Sequence, residues 1–159
     1  MKGHSGVVES LLEKGASIEA ENQHNDTPLH LASLRGHSGV VELLLVKGAS
    51  IEATSIYGET PLHRATLFGN PGVVELLLEK GALTEATDNH NNTSLHLAVW
   101  GRLPHSRNIV ELLLMKGASI EARNNDNHTP LRVAVQRDNT GTVQLLRNHA
   151  KKTAHETSL

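Results

Sequence analysis

The sequence predicts an all-α repeat protein, a solenoid of helix–turn–helix units joined by hairpin-like loops. Two internal repeats and one oddity of composition lead there. The hexamer Thr27-Pro28-Leu29-His30-Leu31-Ala32 recurs from Thr60, Thr93 and Thr129, at spacings of 33, 33 and 36 residues. A second block, Val40-Val41-Glu42-Leu43-Leu44-Leu45, returns at Val73 to Leu78 and at Ile109 to Leu114. The chain of 159 residues holds one Trp, one Tyr and one Phe, so its core must be built from Leu, Val, Ile and Ala. Self-similarity at such a period means stacked supersecondary units, none able to bury its apolar faces alone.

Each element of the unit has a local cause. Thr27 is a good helix N-cap, and Pro28 at the first helical position lacks only an N–H that would go unpaired anyway. Gly36 and Gly69 end these two-turn helices as left-handed caps. The second helix is apolar around most of its circumference and must be covered on more than one side. Gly48, Gly81 and Gly117 stop it. Two residues before each motif Thr stand Asn25, Gly58, Asn91 and Asn127, the residue types that accept positive φ, which places a turn there. A closing segment, Lys47-Gly48-Ala49-Ser50-Ile51-Glu52-Ala53, recurs at Lys116 to Ala122 and, more loosely, at Lys80 to Ala86.

With these motifs the chain resembles the ankyrin-repeat family, from about Gly3 to about Ala150. The resemblance implies an ankyrin-repeat solenoid of paired antiparallel helices stacked side by side, with hairpin loops projecting at roughly right angles. It also implies hydrogen bonds within and between units from Thr27, His30, Thr60, His63, Thr93 and His96. Ser94 and Arg132 depart from the pattern, so weaker fourth and fifth units are expected. The array divides into a partial repeat, 1–21, and repeats 22–54, 55–87, 88–123 and 124–150, followed by a polar C-terminal tail, 151–159, expected to be disordered unless tied down. The first unit matches only the second half of a repeat. Two readings of that stand: a fragment of a longer array, which is favoured, or a natural start. In the fifth unit Gln144-Leu145-Leu146-Arg147 and the missing closing segment read as a C-terminal cap.

The resemblance also implies where partners dock: on the hairpin tips and on the exposed side of each first helix. Transferred to this sequence, the tips include Ile56, Tyr57 and His90, and the helix positions include Leu34, Arg35, Leu67, Phe68 and Trp100. All three aromatics of the chain fall on this surface. Aromatic and Arg anchors are enriched at interface hot spots, and a contiguous exposed apolar patch marks an interaction site. The competing reading is that these side chains cover neighbouring loops. The turn between Gly101 and Asn108 is three residues longer than its counterparts. Neutral drift explains it; alternatively Arg102 and Arg107 flank the Trp100 patch and add basic contacts.

Several classes are disfavoured. With 15 Lys+Arg against 17 Asp+Glu there is no basic stripe for nucleic acid, and the absence of Cys excludes disulfides and thiolate metal sites. No uninterrupted apolar run approaches the ~20 residues of a membrane span, and no signal peptide leads the chain. The eleven histidines are spaced along the repeats and lack the pairing a zinc site requires. No cofactor is expected, and neither is catalysis. Glu19, Glu52, Glu85 and Glu121 occupy the position before the closing Ala where certain ankyrin proteins carry a hydroxylated Asn, so that modification is not expected. The final Glu156-Thr157-Ser158-Leu159 resembles a C-terminal PDZ-domain ligand. The expectation is therefore a monomeric protein–protein interaction scaffold, cytoplasmic or nuclear, binding another protein through Tyr57, Phe68, Trp100, Leu67, Leu34, Arg35, Ile56, His90 and Arg102. The alternative is the partner-recruiting segment of a larger protein whose catalytic part lies N-terminal to this chain.

Overall fold

The computed structural model describes residues 5–101 and 105–156. Among them are nine helices: α1 (Ser5–Glu13), α2 (Pro28–Leu34), α3 (Ser38–Val46), α4 (Pro61–Leu67), α5 (Pro71–Glu79), α6 (Ser94–Trp100), α7 (Ser106–Met115), α8 (Pro130–Gln136) and α9 (Thr140–Glu156). No strand occurs among the described residues beyond an isolated bridge between Thr87 and Thr93. The helices form two layers. α2, α4, α6 and α8 pack in sequence as an inner layer, and α1, α3, α5, α7 and α9 as an outer one. Within a unit each inner helix packs on the outer helix that follows it.

The core lies between the layers. Leu29, Leu62 and Leu95 from the inner helices meet Leu44, Leu77 and Leu113 from the outer ones, all essentially without solvent contact. Each such leucine contributes roughly 1.5–3 kcal/mol by leaving water. Ala32, Ala65, Ala98 and Ala134 are buried at equivalent positions of the inner helices, where a small side chain permits close approach. The first unit shows what a missing inner helix does. Leu11 of α1 is 53% exposed, whereas its counterparts Leu44, Leu77 and Leu113 are at 0%.

Loop geometry follows the residue types. Asn25, Gly58, Asn91 and Asn127 have φ of 55°, 72°, 61° and 58°. The hairpins are also tied to one another along the stack: Ile56 N–H donates to His24 O, Asn89 N–H to Tyr57 O and Asn125 N–H to His90 O. Gly58 is special among the four, because Asn89 of the next hairpin crowds it. A Cβ there would lie 2.5 Å from Asn89 Oδ1 and 2.9 Å from the Asn89 backbone nitrogen. Gly58→Ala therefore combines left-handed strain of about 1–2 kcal/mol with the loss of an inter-hairpin contact. An overall destabilisation of about 2–4 kcal/mol is expected, read from urea unfolding. A cost below 1 kcal/mol would mean that the two hairpins separate freely.

The C-terminus differs from the expected polar tail. α9 runs on past Ala150 to Glu156. Ala150 stands where Gly48, Gly81 and Gly117, with φ of 96°, 92° and 84°, end the preceding outer helices. With Ala in place of the αL glycine nothing stops the helix, and Thr153 Oγ1 donates back to the His149 and Ala150 carbonyls. The expected boundary at 150 thus falls inside a helix. Glu156 closes α9, and Thr157, Ser158 and Leu159 of the PDZ-like pattern lie outside the described residues.

Candidate interaction surface

A histidine in each of three units holds the inner helices in place. Thr27, Thr60 and Thr93 sit in extended conformation at the N-caps of α2, α4 and α6. Their N–H groups donate to Nδ1 of His30, His63 and His96 at 3.1, 3.1 and 3.2 Å. The opposite ring nitrogens reach the next unit, 2.9 Å from Glu59 O, 3.2 Å from Asn92 O and 2.9 Å from His128 O. A carbonyl can only accept, so Nε2 must carry the proton and Nδ1 must be the acceptor. Burial pushes all three imidazoles below their ordinary value and keeps them neutral, outweighing the carbonyl acceptors that favour the charged form. Both ring nitrogens are thus committed to backbone partners. Arg132 replaces His in the fifth unit, where α8 keeps only the Thr129 Oγ1 cap on Arg132 N–H.

The glutamates of the closing segments form a second ladder. Glu19, Glu52 and Glu85 accept the backbone N–H of Ser50, Leu83 and Ser119 in the following unit at 2.7, 2.8 and 2.9 Å. Their identity had excluded one modification; their structural role lies between units and is invisible within one.

Five of the nine expected partner-binding residues fall into two clusters on the hairpin and inner-helix side. In the first, Tyr57 is 49% exposed, with Ile56 exposed beside it. The Tyr57 ring stacks on His24 at 6.1 Å, and the Arg64 guanidinium lies 5.9 Å from its centroid. Beneath it Arg64 pairs with Asp26 at 2.9 Å and Glu59 at 3.0 Å, all three largely buried. Burial pushes the Glu59 carboxyl above its ordinary value, and Arg64 pulls it the other way. This network was not anticipated. Its signal was present, since Arg64 stands where the other motif copies carry Leu31, Leu97 and Val133. A lone cation in an apolar column requires acids nearby, and Asp26 and Glu59 each precede a motif Thr.

In the second cluster Leu67, His90 and Trp100 line a common groove between α4, α6, α8 and the hairpins at 88–92 and 124–128. Trp100 is 54% exposed, and the Arg137 guanidinium lies 3.9 Å from its ring centroid, a cation–π contact. Phe68, 48% exposed, is the C-cap residue of α4. Arg35 is the exposed C-cap of α2, next to half-buried Leu34. Arg102 lies outside the described residues. Arg107, expected to flank Trp100, instead pairs with Glu111 at 3.0 Å along α7 in the outer layer, because their spacing puts both on one helix face. Leu97, Val133, Asp88 and Asp126 complete the groove and were not singled out in the sequence.

Among the described residues no group of three or more His, Cys, Asp or Glu is placed to hold a metal ion. No described helix is long and apolar enough to cross a membrane.

Repeated inner–outer helix pairs, Thr–His caps that reach into the next unit and hairpins tied edge to edge define a class of stacked-repeat protein, and comparison identifies which one. Two family models match the chain, one described as ankyrin repeats (3 copies) over residues 52–124 and one as ankyrin repeats (many copies) over residues 11–65. The chain belongs to the ankyrin-repeat family. Ankyrin repeats generally mediate protein–protein interaction and are typically non-enzymatic. No curated protein matches the chain as a relative.

Proposed function

We propose that this chain is a non-catalytic scaffold that holds a partner protein on the hairpin tips and inner helices. Tyr57, Phe68 and Trp100 are the anchors, and Leu34, Arg35, Ile56, Leu67, His90 and Arg102 surround them. The observation that carries the reading is the placement of the aromatics. The hydrophobic core cluster is aliphatic, while each of the three aromatic rings is about half exposed, Tyr57 on a hairpin and Phe68 and Trp100 at the C-terminal ends of inner helices. Large rings left in water cost hydrophobic free energy that burial against a partner recovers.

The thermodynamic side favours a scaffold over an enzyme as well. The histidines that could serve as bases in a repeat of this kind have both nitrogens engaged with backbone. A base so held has no lone pair left for a substrate.

The test is quantitative capture of interacting proteins by the wild-type chain, the Phe68→Ala/Trp100→Ala double variant and a Met115→Ala control on the exposed outer layer. Anchors of this type are worth about 2 kcal/mol each, so the double variant should bind its partner at least about 30-fold more weakly with its helical signal intact. Met115→Ala should bind as the wild type does. Equal retention by the double variant removes the aromatic anchors from the reading.

A further inference from the structure

The geometry points to a basic side chain, Arg or Lys on an extended segment of the partner protein, as the occupant of the groove beside Trp100. This inference rests on the proposed docking surface and specifies its chemistry. The groove has a volume of about 370 Å³. That is near the lower end of the roughly 300–1,000 Å³ of small-ligand sites, room for one or two side chains and not for a folded element. Its apolar lining is Leu67, Leu97, Trp100 and Val133, and its charged groups are Asp88 and Asp126. Arg137, whose guanidinium lies 3.9 Å from the Trp100 ring centroid, stands beside the groove and is not part of its lining. His96, which also reaches it, is held neutral by burial, which outweighs the His128 carbonyl that favours the charged form.

An apolar floor with an anionic rim complements a side chain that is itself an aliphatic stem with a cationic head. Arg137 already holds a guanidinium against the Trp100 indole, so the incoming head is met by the carboxylates of Asp88 and Asp126 and its stem by the apolar lining.

The two backbone bonds of the Asp88 hairpin do not need a charge. Asp88 Oδ1 accepts the N–H groups of His90 and Asn92, both at 2.8 Å. Asn22 and Asn124 make the same two bonds in their hairpins with a neutral amide, to His24 and Asp26 and to Asp126 and His128. The two backbone bonds therefore require only an acceptor, while Oδ2 of the carboxylate also accepts from Asn92 Nδ2 at 3.1 Å. Asp126 adds a second carboxylate at the exposed tip of the next hairpin.

The experiment is an NMR titration of the full chain with acetylated, amidated peptides Gly-Leu-Xaa-Leu-Gly in which Xaa is Arg, Lys, norleucine or Glu. Trp100 is the sole tryptophan, so its indole N–H reports directly. The Arg and Lys peptides should shift it saturably, with Kd values about tenfold below those of the norleucine and Glu peptides. The Asp88→Asn/Asp126→Asn variant keeps the backbone bonds in kind and gives up the Asn92 Nδ2 bond; it should erase that difference, with its own spectral changes confined to the two hairpins. If norleucine or Glu peptides bind equally well, or the double variant keeps the preference, the basic occupant is overturned while the docking surface stands. If no peptide shifts Trp100, the groove assignment falls, and capture by the Phe68/Trp100 variant still decides the wider surface independently.

Discussion

His63→Ala should lower the unfolding free energy by about 3–5 kcal/mol, more than any surface change in this chain. His63 is fully buried between the third and fourth units. Its removal leaves the Thr60 N–H and Oγ1 without the ring nitrogen at 3.1 and 2.9 Å, and deprives Asn92 O of its donor at 3.2 Å. Each buried group left unsatisfied costs about 1–3 kcal/mol, and the lost ring leaves a cavity besides. His63→Gln separates the two halves of the role. Glutamine at this helix position can reach back to the N-cap N–H, as in a capping box, but is too short to span to the next unit as well. It should therefore cost less than alanine, by about 1–2 kcal/mol. Because each unit touches only its neighbours, alanine at this central link should also weaken coupling along the stack. Urea unfolding followed by circular dichroism should then broaden or split into two transitions. A single, equally steep transition with alanine and glutamine alike would show that His63 acts through volume alone.

The contrast between His63 and Arg64 explains what the sequence discloses in a repeat protein. The His role, the caps and the positive-φ turns were legible because they repeat: Thr, Pro, His, Gly and Asn each answer a local backbone demand, and four copies remove the ambiguity of one. The same logic made Asn25, Asn91 and Asn127 readable as equivalents of Gly58, although the crowding by Asn89 that sets Gly58 apart comes from the next hairpin. At the candidate surface the exposure of Tyr57, Phe68 and Trp100 was legible and their surroundings were not. Positions on the exposed side followed from the unit, but the stacking of Tyr57 on His24 and of Arg137 on Trp100 depends on side-chain direction across a unit boundary. The Glu19, Glu52 and Glu85 ladder was missed for the same reason. At the C-terminus the missing closing segment reads as a cap, whereas the glycine lost with it is the feature that decides where an outer helix stops. Deviations at a fixed repeat position were the most informative signals, and Arg64 and Ala150 were two that could have been followed further.

Acidification should destabilise the array steeply below pH 6.5 and leave it nearly unchanged from about a pH unit above. His30, His63 and His96 have folded values lowered from 6.5, with burial the leading cause. The sign follows from proton counts. Well above 6.5 these groups are neutral in both the folded and the unfolded chain, and their contribution levels off. As pH falls through 6.5 the unfolded chain takes up protons that the folded chain refuses, so stability declines until each folded value is reached. The physical reason is the one that fixes the tautomer: a charged ring would turn a proton on Nδ1 toward the Thr N–H it now accepts from. Each histidine contributes a slope of at most about 1.4 kcal/mol per pH unit, and the three together at most about 4. Glu59 acts in the opposite sense, because its folded value is raised from 4.5; its share of stability grows as pH falls through the folded value toward 4.5. The histidine slope is therefore cleanest immediately below 6.5. Urea midpoints measured at pH 8, 7, 6 and 5.5 should be nearly level for the first two and fall for the last two. His63→Gln, with one titrating group fewer, should show a shallower fall despite its lower starting stability. A midpoint that stays level down to pH 5.5 would mean that the three rings accept protons in the folded stack as readily as in the unfolded chain, contrary to the bonding that holds the units together.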